Sequence, residues 1–185
     1  VGLDYPPDLL APLAAAAGLA YAPQPSGLES ARAAVAADYA RRDIATRLDR
    51  VCLAASTSEA YAWLFKLLCD PGDRVLVPRP SYPLFEHLTA LECVEASPYE
   101  LDLHGHWRID VDALARLVDE RTKAVLVVSP NNPTGSVVDR AELDALADVC
   151  AAHDLVLIGD EVFADYRLDG KAPAPSVIQQ EHAVA

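Results

Sequence analysis

Methionine is missing from all 185 residues, position 1 included, where Val1 stands. With a last residue, Ala185, that closely follows a motif better suited to mid-protein, this leads us to expect a fragment of a longer chain. Basic charge is also scarce: 15 Lys and Arg stand against 28 Asp and Glu, leaving −13 at neutral pH and a pI near 4.6. A chain so acidic is not expected to bind nucleic acid or an anionic membrane surface. The acids are spread along the chain, which is the pattern of a solvated surface. No apolar run approaches the ~20 residues of a membrane helix. The Ala-rich segment from Leu9 to Ala22 is short, holds Pro12 and lacks a basic start, so it does not read as a signal peptide. Cysteine is limited to Cys52, Cys69, Cys93 and Cys150, at intervals of 17, 24 and 57, with no CxxC and no Cys/His ligand spacing. All four fall in or beside strand and helix runs, so buried free thiols in a reducing cytoplasm are expected. His87, His104, His106, His153 and His182 share no spacing that suggests a metal or a triad; surface or capping roles fit them better. Repeats and low-complexity linkers are absent.

The chain does have apolar content, 52%, enough at this length to bury one sizeable core. Ser26-Gly27-Leu28-Glu29 has capping-box spacing and would open a helix through Arg41. Strands are expected at Val51–Ala55, Arg74–Pro78, Cys93–Ala96, Lys123–Val128 and Leu155–Ile158, the later ones short, β-branched and continuous as buried parallel strands are. Helices are expected at Glu59–Cys69, Tyr82–Leu91, Val111–Val118 and Asp139–His153, with Tyr99–Trp107 as loop or edge and irregular chain around Pro173 and Pro175. Alternation of this kind predicts an α/β fold: a mostly parallel sheet with helices on both faces.

Two strings carry the chemistry. Ser129-Pro130-Asn131-Asn132-Pro133-Thr134-Gly135 follows one strand, and Gly159-Asp160-Glu161 ends the next. Open α/β sheets bind ligands beyond the carboxyl ends of their strands, so an amide-rich loop and a carboxylate converge on one crevice. The turn Ser56-Thr57-Ser58 offers hydroxyls and free N–H groups at a helix start, which suits an anion; a plain N-cap is the alternative. Tyr82, in the kink Pro80-Ser81-Tyr82-Pro83, is placed to cover a flat ring or to be an ordinary packed aromatic. Asn132 precedes Pro133 and is biased toward extended backbone, while Asn131 reads as structural.

Together these motifs resemble the class I/II aminotransferases. Tyr21-Ala22-Pro23 with Ser26-Gly27-Leu28, Ala55–Ala60, Pro80–Pro83, Pro130–Gly135 and Asp160-Glu161 occur in that family's order along nearly the whole chain. The resemblance implies a pyridoxal 5'-phosphate enzyme acting on amino-acid and 2-oxo-acid substrates. It implies phosphate contacts at Ser56, Thr57 and Ser58, and Tyr82 stacked on the pyridine. Asn132 would lie on the 3' oxygen, Asp160 on the ring nitrogen, and Tyr21 would reach a partner subunit's phosphate in a homodimer. A carboxylate at ~4 Å from the ring nitrogen is worth ~4 kcal/mol at an effective dielectric of ~20, about three pKa units, which keeps the pyridine protonated as an electron sink. Phe163 departs from the family's Tyr three residues past this Asp. The Schiff-base lysine is expected beyond Ala185, because none of Lys66, Lys123 and Lys171 fits, so no catalytic residue is assigned within the chain. The organisation implied is a single partial domain: an N-terminal segment and helix over 1–50, a cofactor-binding core over 51–170 and a truncated continuation over 171–185. A β-lyase on the same fold, or a non-catalytic cofactor-binding module, shares every motif present.

Overall fold

The computed structural model describes residues 6–166, 174–181 and 183–185. The chain divides into two compact units, Val1–Ala54 and Ala55–Ala185.

The first unit carries helix α1, Glu29–Arg41. Its start corrects the expected capping box. Leu28 is the N-cap and supplies no side-chain bond, and the Glu29 N–H is taken by Gln24 Oε1 at 2.8 Å. Gly27 displaces Ser26 from the cap. It sits at φ +90, where a Cβ would meet Leu53 side-chain atoms at 2.7 Å, and it turns the chain so that the Ser26 carbonyl accepts from Leu53 instead. Val51–Ala55 is not a strand. It is extended at Val51 but joins no ladder among the described residues.

The second unit is the α/β sheet. Strands β1 (Arg74–Arg79), β2 (Glu95–Leu103), β3 (Trp107–Ile109), β4 (Thr122–Val128), β5 (Val156–Asp160) and β6 (Ala183–Val184) run in the order β3-β2-β1-β4-β5-β6. All neighbours are parallel except β2 and β3. The expected loop or edge at Tyr99–Trp107 is thus the end of β2 and its antiparallel edge partner. Helices α2 (Thr57–Leu68), α3 (Phe85–Leu91), α4 (Val111–Ala115) and α5 (Arg140–Ala152) cover both faces.

Period-2 alternation sorts the strand residues between two cores. Leu76, Val125, Val127 and Leu157 join α4 and α5 through Leu114, Leu143 and Leu146. Val75, Val77, Ala124, Leu126 and Ile158 join α2 and α3 through Tyr61, Phe65 and Phe85. α5 is held at its start by a full capping box, Asp139 with Glu142, and ends on His153. The thiols depart from expectation. Cys150 is buried and Cys69 half-buried, but Cys52 and Cys93 are exposed, because Cys52 lies in irregular chain and Cys93 in a turn, and neither sits on an apolar face of an element. Lys171, Pro173 and His182 lie outside the described residues.

Candidate active site

From β1 the chain crosses through α3 to β2 on one side; from β4 it crosses through α5 to β5 on the other. The sheet order therefore reverses between β1 and β4, and beyond their carboxyl ends lies the switch point at which open α/β sheets bind their ligands. The loops after these two strands are sewn together there by Asn131, which is 4% exposed. Its Nδ2 donates to the Pro80 carbonyl at 3.1 Å and to Thr134 Oγ1 at 2.8 Å, and its Oδ1 accepts from the Ser81 hydroxyl at 3.3 Å. Within the loop, Asn131 N–H donates to the Ser136 carbonyl, and Gly135, at φ +69, donates back to the Asn131 carbonyl. Asn131 is thus structural, as its sequence context suggests. Asn132, joined to Pro133 by a cis bond, sits half-buried beside it.

Asp160 ends β5 opposite Val128 of β4. Its Oδ2 accepts the Tyr61 hydroxyl at 2.5 Å, its Oδ1 accepts the Val162 N–H at 3.1 Å, and its carbonyl accepts the Ser129 N–H at 2.9 Å. Tyr61 is buried in an aromatic cluster. It stacks on Phe65 at 5.9 Å and meets Phe85 edge-on at 5.3 Å, and Phe85 in turn meets Tyr82 edge-on at 6.2 Å. Tyr82 keeps 41% of its surface exposed. Burial, reinforced by the Asp160 charge and hydrogen bond, pushes the Tyr61 phenol far above its ordinary range and keeps it an O–H donor.

Tyr61 lies one turn into α2, whose start is the Ser56 turn. Ser56 is the N-cap, its Oγ accepting the Glu59 N–H at 3.2 Å, while Glu59 Oε2 takes the Ala55 N–H at 2.6 Å. The cap alternative for the Ser56 hydroxyl is therefore what the structure shows. The N–H groups of Thr57 and Ser58 have no acceptor among the described residues, and they stand at the positive end of a 12-residue helix. The start of α2, the Asp160 carboxylate, Tyr82 and the Asn132 amide thus all belong to chain at the carboxyl edge of the sheet, with Tyr61 joining α2 to Asp160 and, through Phe85, to Tyr82. Tyr61 was not singled out from sequence, because mid-helix it reads as core; its bond to Asp160 spans 99 residues.

Tyr21 belongs to the first unit and is 94% exposed. Phe163 is 39% exposed and edge-on to Tyr166 at 6.1 Å. Lys66 pairs with Glu92, and Lys123 lies near the start of β4 beside Asp73, at the opposite end of the sheet from Asp160. Among the described residues there is no cluster of His, Cys, Asp or Glu suited to a metal, and no helix is long and apolar enough to cross a membrane.

The family model for aminotransferase class I and II matches residues 8–184. This chain belongs to the class I and II aminotransferase family. Its similarity to N-succinyldiaminopimelate aminotransferase from Mycobacterium tuberculosis has a TM-score of 0.88 at 30% identity, over 98% of this chain and 49% of that one. Tyrosine aminotransferase of Caenorhabditis elegans is 32% identical over 145 residues, 78% of this chain and 31% of the relative. S-alkyl-thiohydroximate lyase of Arabidopsis thaliana is 32% identical over 162 residues, 86% of this chain and 34% of that protein. This aminotransferase-family chain therefore spans about a third of the length of those curated relatives.

Proposed function

We propose that this chain supplies the cofactor-binding part of a pyridoxal phosphate-dependent aminotransferase, which passes the amino group of an L-amino acid to a 2-oxo acid. The observation that carries the reading is the position of Asp160, a tethered carboxylate at the sheet's carboxyl edge, with the free N–H groups of α2 and the exposed ring of Tyr82. That donor set fits a phosphorylated pyridine at both of its ends. When bound, pyridoxal phosphate supplies an electron sink for the bond-breaking step.

The chain's own residues bind and orient. The N–H groups of Thr57 and Ser58, with their hydroxyls and that of Ser56, would take the phosphate, aided by the helix dipole. Tyr82 would cover one face of the ring, and the Asn132 amide would donate to the phenolic oxygen. Asp160 would hold a proton on the ring nitrogen by its negative charge. With Phe163 in place of the family's Tyr, no hydroxyl is offered from that position.

The exposed Tyr21 supports a homodimer in which it reaches the partner's phosphate, and four free cysteines support a reducing, cytoplasmic setting. The match to a lyase favours a β-lyase as the second reading. The test is a half-reaction screen of the complete gene product with pyridoxal phosphate and a panel of amino acids. Amino transfer to a 2-oxo acid is expected, and release of a sulfur leaving group without it would favour the lyase. Asp160→Asn should abolish turnover with a stability loss on the order of 1 kcal/mol, since the residue sits at a strand end. Near-normal turnover in that variant would remove the role assigned to the carboxylate.

A further inference from the structure

We infer that Tyr61 is the positioning residue that fixes the Asp160 carboxylate and sets its distance from the anion-binding start of α2; this rests on the reading of Asp160 as the partner of the cofactor's ring nitrogen. Each carboxylate oxygen has its own donor: Tyr61 O–H on Oδ2 at 2.5 Å and Val162 N–H on Oδ1 at 3.1 Å. With one donor per oxygen, rotation about the Cβ–Cγ bond costs a hydrogen bond, so the carboxylate plane is set. The two donors differ in kind. Val162 belongs to the same turn as Asp160 and moves with it. Tyr61 comes from another element and ties the carboxylate to the rest of the site.

That element is the helix whose first turn offers the Thr57 and Ser58 N–H groups. Four residue steps carry the helix from Thr57 to Tyr61, a rise of about 6 Å. A single rigid rod therefore presents the anion site at its tip and the tyrosine hydroxyl one turn further along. The hydroxyl has little freedom of its own. Tyr61 is 6% exposed, and its ring is held between Phe65 and Phe85. Burial and the neighbouring carboxylate keep the phenol protonated, so the donor persists across the working pH range. Phe163 brings no hydroxyl to the strand end, and its ring is edge-on to Tyr166. Tyr61 is consequently the side chain that holds Asp160, and it touches the reacting atoms only through that residue.

The experiment uses the complete gene product loaded with pyridoxal phosphate labelled with 15N in the ring. Affinity and the ring-nitrogen chemical shift are measured for the wild type, Tyr61→Phe, Asp160→Asn, the double variant and Phe85→Leu. Tyr61→Phe keeps the packed ring and removes only the hydroxyl, and circular dichroism checks that the fold is retained. It is expected to weaken cofactor affinity about ten-fold and to move the ring nitrogen toward its unprotonated shift. In the Asp160→Asn background it should add nothing, because the carboxylate through which Tyr61 acts is gone. Phe85→Leu loosens the same aromatic cluster but leaves the Tyr61 hydroxyl in place, and should displace the shift less than Tyr61→Phe does. A wild-type shift and affinity in Tyr61→Phe, an equal loss in the Asp160→Asn background, or an equal displacement in Phe85→Leu would each overturn the assignment. A wild-type protein that binds the cofactor with an unprotonated ring would instead overturn the reading of Asp160, and the Tyr61 role with it.

Discussion

Asn131, itself 4% exposed, gives both amide protons to Pro80 and Thr134 and accepts from Ser81, whereas the side chain of Asn132 is half-buried with no hydrogen-bond partner among the described residues. Truncating the first takes the Asn131 partner from the Pro80 carbonyl and the Ser81 hydroxyl, while Thr134 Oγ1 keeps its contacts with Ser136; truncating the second removes no hydrogen bond among the described residues. Asn131→Ala is therefore expected to lower stability by about 1–3 kcal/mol, and Asn132→Ala by no more than ~0.5 kcal/mol. Urea unfolding of the two variants side by side checks this, and equal losses would contradict it. Gly159 makes a different argument, because its φ is not in the left-handed region. A Cβ there would meet Val177 Cγ2 at 2.0 Å, which nothing short of movement relieves. Gly159→Ala should cost about 1–3 kcal/mol in the same assay. A variant as stable as the wild type would mean that Val177 shifts aside freely. At this scale the motif strings were readable from local spacing. What separates two neighbouring asparagines is contact with Pro80 and Ser81, some fifty positions away, and spacing carries no record of that.

β1 contains Pro78, which has no N–H to give, and its ladder to β4 ends at the Leu76–Val125 pair. The carbonyl of Leu126, just beyond, accepts the buried hydroxyl of Tyr99 from β2 at 2.9 Å. The side chain thus replaces a ladder bond that proline forbids. Tyr99→Phe keeps the packing and leaves that carbonyl without its donor, at a cost of about 1–3 kcal/mol. Thermal or chemical unfolding would show it, and a loss below ~0.5 kcal/mol would mean that the carbonyl finds another partner. Elements whose ends are chemically marked were legible beforehand. α5 begins on Asp139 with Glu142 and α2 on Ser56 with Glu59, and both carry apolar residues at helical spacing. Val51–Ala55 misled, because an apolar, extended run becomes a strand only when a neighbour completes its ladder. The start of α1 misled for a related reason: Ser26 and Glu29 have capping-box spacing, but Gly27 turns the chain before the helix begins.

Across the molecule, the buried titratable groups set a direction for stability against pH. Burial raises the Cys150 thiol to about 12 and pushes the Tyr61 and Tyr99 phenols above their ordinary range. In the unfolded chain these groups lose protons near their usual values of about 8.5 for Cys and about 10 for Tyr. The folded state then holds protons that the unfolded state has released, so stability is fully present below that range and falls as pH rises through it. The slope is at most ~1.4 kcal/mol per pH unit for each group. Unfolding free energies measured at about pH 8 and about pH 10 should decline in that order. A flat or rising profile would refute it. Local order in the chain determined the α/β alternation, the parallel character of the strands and the placing of Asn132 and Asp160 at strand ends, because each depends on residues a few positions apart. Tertiary structure alone decided that Asn131 clamps the two loops, that Tyr99 repairs the gap at Pro78 and that Tyr61 grips Asp160. Those contacts join residues 27 to 99 positions apart. They arise only when helices and strands have packed, and no periodicity along the chain encodes them.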